Sequence, residues 1–424
     1  MIDSKDKMSD PQADKSEPTA ASLPFVEFVV LMALMMSLVA LSTDAILPSL
    51  DIIGHELGHS DPQQLQQVIT ALFAGLAVGQ LVYGPLSDQI GRKKCIYLGL
   101  ALFVIGNLLS WSSTSFSQLL IGRLLQGFGV AGPRIILMAL IRDMFQGRAM
   151  ARIMSFIMGV FIFVPAIAPI IGQFIAHLAG WRAVFLFVVF LACVAWIWFG
   201  IRQRETLPAS KRVRVTPSSL WNGTRRVFTT PSCFGYMIAA GFAFGPFMFY
   251  ISTAQDLFQT TYAVGERFPF FFAGLALSVG LASFLNSKLV MTFGMRKLVN
   301  AALMTLICLS SLALILSYQS GFVPPLWLFL MLFSPLFFCM GLLFGNINAL
   351  AMEDVGQIAG LASAWIGAVS TGLAMTIATL MGQVYDGTIL ALGGAFMISG
   401  LTTLLVVQIT ERLRAPKSDE AMPV

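Results

Sequence analysis

Residues 84–94 read GPLSDQIGRKK. This stretch places Gly84, Pro85, Asp88, Gly91 and the cations Arg92, Lys93 and Lys94 between two apolar segments, each long enough to cross a bilayer. A short basic turn of this kind belongs at the cytoplasmic face, where Lys and Arg are retained during insertion. It therefore reads as a membrane-embedded hinge. Its Asp88 lies where neighbouring helix ends and Arg side chains can hold a carboxylate.

Working outward, the 424-residue chain is 57% hydrophobic and 11% charged, with a mean hydropathy of +0.81, which excludes a soluble enzyme. The net charge of +5 suggests an acidic partner only until the membrane is considered, where a basic excess is an orientation signal rather than a nucleic-acid footprint. Cys95, Cys193, Cys233, Cys308 and Cys339 stand singly, without disulfide or zinc spacing, and read as small packing residues. Residues 1–24 are polar and carry no apolar core with a cleavage site, so the first apolar segment is expected to be retained. Apolar runs predict spans at 25–49, 65–86, 95–113, 117–141, 153–177, 182–201, 233–256, 267–290, 298–318, 326–350, 358–382 and 390–410.

Twelve spans put both termini on one side. On that side fall 22 of the 26 Lys and Arg residues, against Arg182 and Arg267 opposite and Arg123 and Arg134 inside span four. Both termini are expected to be cytoplasmic. The longest connection, 202–232, carries seven cations with Pro208 and Pro217 and divides the spans six and six. It reads as a solvated basic linker, with a lipid-binding segment as the alternative. The domains expected are thus a tail (1–24), a six-helix bundle (25–201), the linker (202–232), a second bundle (233–411) and a tail (412–424). Ser287, Lys288, Gly294, Arg296 and Lys297 faintly repeat the opening motif before span nine, without its Asp. A degenerate repeat in a 6+6 array is the trace of two packed bundles in an alternating-access transporter.

An ionisable group at membrane depth needs a reason. Asp44, in TDAILP near the outer end of span one, is the acidic residue placed well inside an apolar helix. Pro48, four residues on, cannot bond the Asp44 carbonyl and leaves a kinkable polar spot. An apolar setting with access to the outer solution suits a proton carrier; an interfacial carboxylate capping the next loop is the alternative. Arg123, in IGRLLQGFGVAG, is the natural charge partner, unless backbone carbonyls hold it permanently. Arg134 reads as inner-half packing or snorkelling. In VPAIAPIIGQ of span five, Pro165, Pro169 and Gly172 share one helix face, which fits a bent, closely packed rocking interface as well as simple packing.

These motifs run in order through nearly the whole chain after the N-terminal tail, and together they resemble the major facilitator superfamily. TDAILP, GRLLQGFG and VPAIAPIIG resemble the first-, fourth- and fifth-helix motifs of its proton-coupled exporters. RDMF at 142–145, WRAVF at 181–185 and RETLP at 204–208 make the chain similar to the bicyclomycin and chloramphenicol resistance branch, Bcr/CflA. For Asp88, Arg92 and Asp143 the resemblance implies a cytoplasmic charge latch stabilising the outward-facing state, with Asp88 facing the N-terminus of span eleven; a topological anchor is the alternative. Ala168-Pro169 replaces the Gly-Pro common in exporters, and span one lacks the deeper second carboxylate some of them use.

His55-Glu56-Leu57-Gly58-His59 matches the H-E-x-x-H pattern of zinc hydrolases. It falls in a short outer loop with little room for a cleft, so an ordinary solvated loop is expected; a weak metal site including His177 is the other reading. No metal or cofactor enters the functional reading. A substrate pocket is sought at Gln126, Phe247, Tyr250 and Asn346, where aromatics and a few amides suit amphiphilic compounds. The chain is thus expected to be an all-α polytopic protein of twelve transmembrane helices in two six-helix bundles and not an enzyme. It is expected in the bacterial inner membrane as a functional monomer with no nucleic-acid partner. It would export small amphiphilic compounds in exchange for protons. A dedicated exporter of an endogenous metabolite or siderophore, or a proton-coupled uptake symporter, is the alternative within transport. A receptor or membrane enzyme would need a soluble domain or catalytic constellation that the sequence does not display.

Overall fold

A backbone at membrane depth must satisfy its polar groups internally, so apolar segments of this length fold as helices. The computed structural model describes residues 23–59, 61–145, 147–212 and 216–414. Nearly all of both expected tails, 1–24 and 412–424, and residues 213–215 of the linker lie outside the described residues. The helices are α1 (Phe25–Asp44), α2 (Leu50–Glu56), α3 (Pro62–Ile90), α4 (Arg92–Trp111), α5 (Phe116–Met144), α6 (Gly147–Ala179) and α7 (Arg182–Arg202). They continue with α8 (Pro217–Thr229), α9 (Pro231–Asp256), α10 (Phe268–Phe293), α11 (Met295–Gln319), α12 (Leu326–Met352), α13 (Ala359–Gln383) and α14 (Ile389–Arg414). Eleven stretches of the described residues are long and apolar enough to cross a membrane, and α6 contributes Phe163–Ala179 to a twelfth. The protein is a multi-pass membrane protein. Its first span is α1 continued through a 3-10 turn, Leu47–Ser49, into α2.

Three expectations change. The stretch 84–94 is not a loose hinge: α3 runs through Pro85 to Ile90, and the turn is Gly91 alone, at φ 101°. Helical hydrogen bonding does not stop at the hydrocarbon boundary, so apolar runs underestimate helix length. Residues 50–56, expected in an outer loop, are helical for the same reason. The linker is not wholly a loop either, because Pro217 at the first helical position and a reciprocal Thr216–Ser219 capping box nucleate α8.

Within the first bundle α5 packs against both α3 and α4, while α1 lies on α6 and α7; in the second, α9 packs on α12, α13 and α14. Helix association without a hydrophobic gradient relies on close backbone approach. The contact of α3 with α5 is a case in point, since a Cβ on Gly127 would stand 1.7 Å from the Leu72 carbonyl oxygen. Between the bundles, α3 meets α13 and α6 meets α10. Counted as spans these seams are two with eleven and five with eight, and exchanging each span for its counterpart in the other half, two for eight and eleven for five, turns one pair into the other. The packing therefore carries the pseudo-twofold relation that the faint motif repeat suggests.

Gly127→Val should force α3 and α5 apart and cost about 1–3 kcal/mol or more. Gly274→Ala, where a new Cβ meets nothing within 4 Å, should be neutral or stabilising by up to about 1 kcal/mol. Thermal unfolding of the two purified variants checks this, and equal midpoints would refute the close-approach account.

Candidate functional site

The α-helical path of the first span ends at Asp44, because Pro48 has no N–H to offer the Asp44 carbonyl. Helix α6 closes on that break. A Cβ at Gly172 would lie 1.8 Å from the Ala45 carbonyl oxygen, so only glycine lets α6 lean on the residue beside Asp44. The Asp44 side chain is 4% exposed, and it is the only acidic residue buried to this degree among the described residues. Access to the outer solution is thus not direct in this conformation. The rest of the expected hinge behaves unevenly: Pro48 marks a true interruption, whereas Pro165 and Pro169 sit inside an unbroken α6.

Arg123 has no exposed surface. Its Nε donates to the Val68 carbonyl at 3.0 Å, and its Nη1 donates to the Ser42 carbonyl at 2.8 Å and to Gln126 Oε1 at 2.9 Å. Asp44 and Arg123 feel each other's charge but form no ion pair. The expected direct partnership is therefore replaced by carbonyl coordination of the Arg, two residues from Asp44 along α1. One donor is left over, since Nη2 is buried without a partner. Gln126 Nε2 donates to Ser110 Oγ at 2.8 Å and to the Gly106 carbonyl at 3.3 Å. With both ends of its amide engaged and no exposed surface, Gln126 positions Arg123 and locks α5 to α4 instead of facing a substrate.

From the second bundle, Tyr250 on α9 brings a buried hydroxyl that also lacks a partner and lies in the field of Asp44. Its ring stacks on Phe272 at 5.8 Å and meets Phe337 edge-on at 4.7 Å. Phe247, one turn away, contacts Phe337 and Phe344 at 5.6 and 5.4 Å. Asn346 on α12 is buried and bonded to Asn286, its Nδ2 donating to Asn286 Oδ1 at 2.7 Å. Asn286 on α10 escaped the sequence reading; a lone amide within LASFLNSKLV, residues 281–290, was its only signal. Asp44, Arg123 and Tyr250 thus gather three polar groups with unused bonding capacity where the two bundles meet.

At the opposite end, Arg92 is 4% exposed and reaches three neighbours. Its Nη1 donates to Asp88 Oδ1 at 2.6 Å and Ser87 Oγ at 2.7 Å, and its Nε donates to Asp143 Oδ2 at 3.0 Å. A Cβ at Gly360, in the first turn of α13, would stand 3.8 Å from Asp88 Oδ2. The carboxylate therefore faces the positive end of a helix from the other bundle. Glu205 completes the cluster by accepting from the backbone N–H of Arg92 and Lys93 at 3.0 and 3.1 Å. Sequence reading noticed RETLP without giving its Glu this capping role. The second copy of the motif rebuilds the network with other residues: Gly294 turns at φ 77°, and Arg296 pairs with Glu353 at 2.6 Å and Glu411 at 2.9 Å. Glu353 follows span ten much as Asp143 ends span four, so the missing Asp is replaced from elsewhere in the fold.

The H-E-x-x-H residues are used structurally. Glu56 accepts from Trp181 Nε1 and, at 2.8 Å, from Arg182 Nη1, while Arg182 Nη2 donates to the Ser113 carbonyl at 2.9 Å. The WR of WRAVF therefore clasps spans one, three and six together at one face. His59 bonds Gln64 at 2.6 Å and stacks on Phe116 at 4.6 Å. Among the described residues no three His, Cys, Asp or Glu side chains gather as a metal site would require.

The sequence profile of the Major Facilitator Superfamily matches residues 32–379. A bicyclomycin resistance protein homolog of Haemophilus influenzae is 30% identical over 385 residues, covering 88% of this chain and 94% of that protein. A chloramphenicol resistance protein of Pseudomonas aeruginosa is 25% identical over 303 residues, with 69% and 70% covered. Among solved structures, the E. coli xylose transporter XylE in a partially occluded inward-open conformation superposes with a TM-score of 0.69 at 14% identity. That match covers 94% of this chain and 99% of the other. With two six-helix bundles, seams related by the internal repeat and a family profile spanning most of its length, the chain belongs to the Major Facilitator Superfamily and is a transporter, not an enzyme.

Proposed function

We propose that the protein exports small amphiphilic compounds across the bacterial inner membrane in exchange for protons, by alternating access between its two bundles. The observation that carries this reading is the burial of Asp44 at the break of the first span, unpaired, beside the uncoordinated Nη2 of Arg123 and the free hydroxyl of Tyr250. A carboxylate at membrane depth is costly when charged and unpaired, and that cost is relieved by taking up a proton. A substrate entering between the bundles would displace Tyr250 and the Phe247 face of α9 from Asp44, changing the environment of the carboxyl and so coupling the two binding events. The resistance proteins to which the chain is similar favour drug-like cargo. One proton moving down about 100 mV releases about 2.3 kcal/mol, equivalent to about a fifty-fold gradient of a neutral solute.

The distribution of Lys and Arg favours cytoplasmic termini and supports a cytoplasmic position for the Arg92 cluster. There Asp88 opposite the α13 N-terminus would act as the latch, holding that face shut while the outer face opens. The protein is proposed to work as a monomer, its substrate path lying between its own bundles.

Three measurements test this reading. Asp44→Asn should fold and insert yet lose proton-driven efflux of a substrate identified by a susceptibility panel in an efflux-deficient host. Undiminished active efflux by this variant would end the proton role. Arg123→Lys should lower transport by at least about tenfold, because a compact ammonium cannot reach Val68, Ser42 and Gln126 at once, and normal transport by Arg123→Ala would remove Arg123 from the coupling. Asp88→Asn should widen the distance between spin labels on the cytoplasmic ends of α5 and α12, whereas an unchanged distribution in a well-expressed variant would make the motif a topological anchor only.

A further inference from the structure

The linker helix α8 has three faces, and each has a different neighbour. One face docks on the first turns of α13: Gly223 lies against Leu361, Trp365 Nε1 donates to Thr224 Oγ1 at 3.0 Å, and Val227 is fully buried. A second face is polar and exposed, formed by Ser219, Asn222 and Thr229, with Arg226 bonded to Gln357 at 3.0 Å. The third is a stripe at helical spacing, Ser218, Trp221, Arg225 and Phe228, and all four are exposed. Trp221 is 69% exposed and Phe228 38%.

Phe228 is partly covered, meeting Trp365 of α13 edge-on at 5.1 Å, but Trp221 and the outer edge of Phe228 stand on water in a helix that has already buried one face against protein, and they need a cover. The fold supplies it. Phe228 contacts Phe234 at 5.9 Å, and Phe234 is 42% exposed in the first turns of α9, a membrane span. The stripe is therefore continuous with the lipid-facing surface of a transmembrane helix. Aromatic rings flanking a cation favour the headgroup layer, where the rings reach acyl chains and the cation meets phosphate. We propose that α8 is an interfacial helix, with the Trp221, Arg225 and Phe228 stripe docked into the headgroup layer of an anionic leaflet and the opposite face gripping α13. The occupant is the anionic phospholipid surface itself. Because the same turns of α13 face Asp88, this lipid contact fixes one wall of the cytoplasmic end of the seam. None of this depends on proton coupling or on the identity of the cargo.

The test uses the full chain carrying Ser218→Cys and Cys308→Ser, labelled at residue 218 with an environment-sensitive fluorophore and reconstituted in vesicles. The vesicles contain zwitterionic lipid alone or with one third anionic phosphatidylglycerol, and the quenchers are a headgroup-level nitroxide lipid and aqueous acrylamide. The expected result is strong quenching by the nitroxide lipid and weak quenching by acrylamide in the anionic vesicles. Removing one cation with Arg225→Gln should lower the docked-to-free ratio about fivefold in those vesicles, and Trp221→Ser should lower it in both compositions. A probe open to acrylamide and unquenched by the nitroxide lipid in both would overturn the proposal and leave the stripe for a soluble partner. Equal quenching in the two compositions, unaltered by Arg225→Gln, would overturn the anionic recognition.

Discussion

A guanidinium with no exposed surface constrains the first bundle. Arg123 carries a permanent charge in a region with no exposed surface, and the fold answers by turning backbone carbonyls toward it. Those carbonyls belong to Ser42 in α1 and Val68 in α3, so three spans must hold register for the charge to be tolerated. The geometry also fixes where α1 stops: the carbonyl that serves Arg123 lies two residues before Asp44, and Pro48 releases the next turn. Gly172 then lets α6 close over the break. The charge environment of Asp44 is thus a by-product of solvating its neighbour. Its proposed sensitivity to a proton follows from having been left without an ion pair.

The seam between the bundles is built from neutral contacts along most of its length. Helices α3 and α13 touch near one face, where Gln63 Nε2 donates to the Gln383 carbonyl at 3.3 Å, and near the other, where Gly84 lies opposite Ala364. Between them Gln66 and Gln80 are buried against Gly382 and Gly367, each with an unpartnered Nε2. Buried amides with unused donors hold a seam less firmly than satisfied ones, which suits a surface that must part and re-form. Helices α6 and α10 make the second contact between the bundles, related to the first by the same internal symmetry.

Charge is concentrated at the helix ends. The networks around Arg92 and Arg296 stand at equivalent places in the repeat, each beneath a glycine with positive φ, yet they draw on different carboxylates. What the repeat retains is an Arg in the first turn of spans three and nine with acidic partners from adjoining helix ends. Only the first network has a carboxylate aimed at a helix of the other bundle. The two networks therefore differ in what they face although they share a plan.

The sequence by itself determined the class of protein, the number of spans, the division of the helices and the positions where charge is exceptional. It could do so because the bilayer imposes a one-dimensional rule of length and polarity on each segment. Gly91, Asp88, Asp44 and Arg123 were legible for this reason. Only the tertiary structure decided what those groups touch. The Arg123 carbonyl cradle, the diversion of Gln126 to packing, the Glu205 cap, the use of Glu56 by Trp181 and Arg182, and the pairing of Asn346 with Asn286 all join residues from different helices. Local pattern cannot reveal such partners, because which face of one helix meets which face of another is fixed by close packing across the whole bundle.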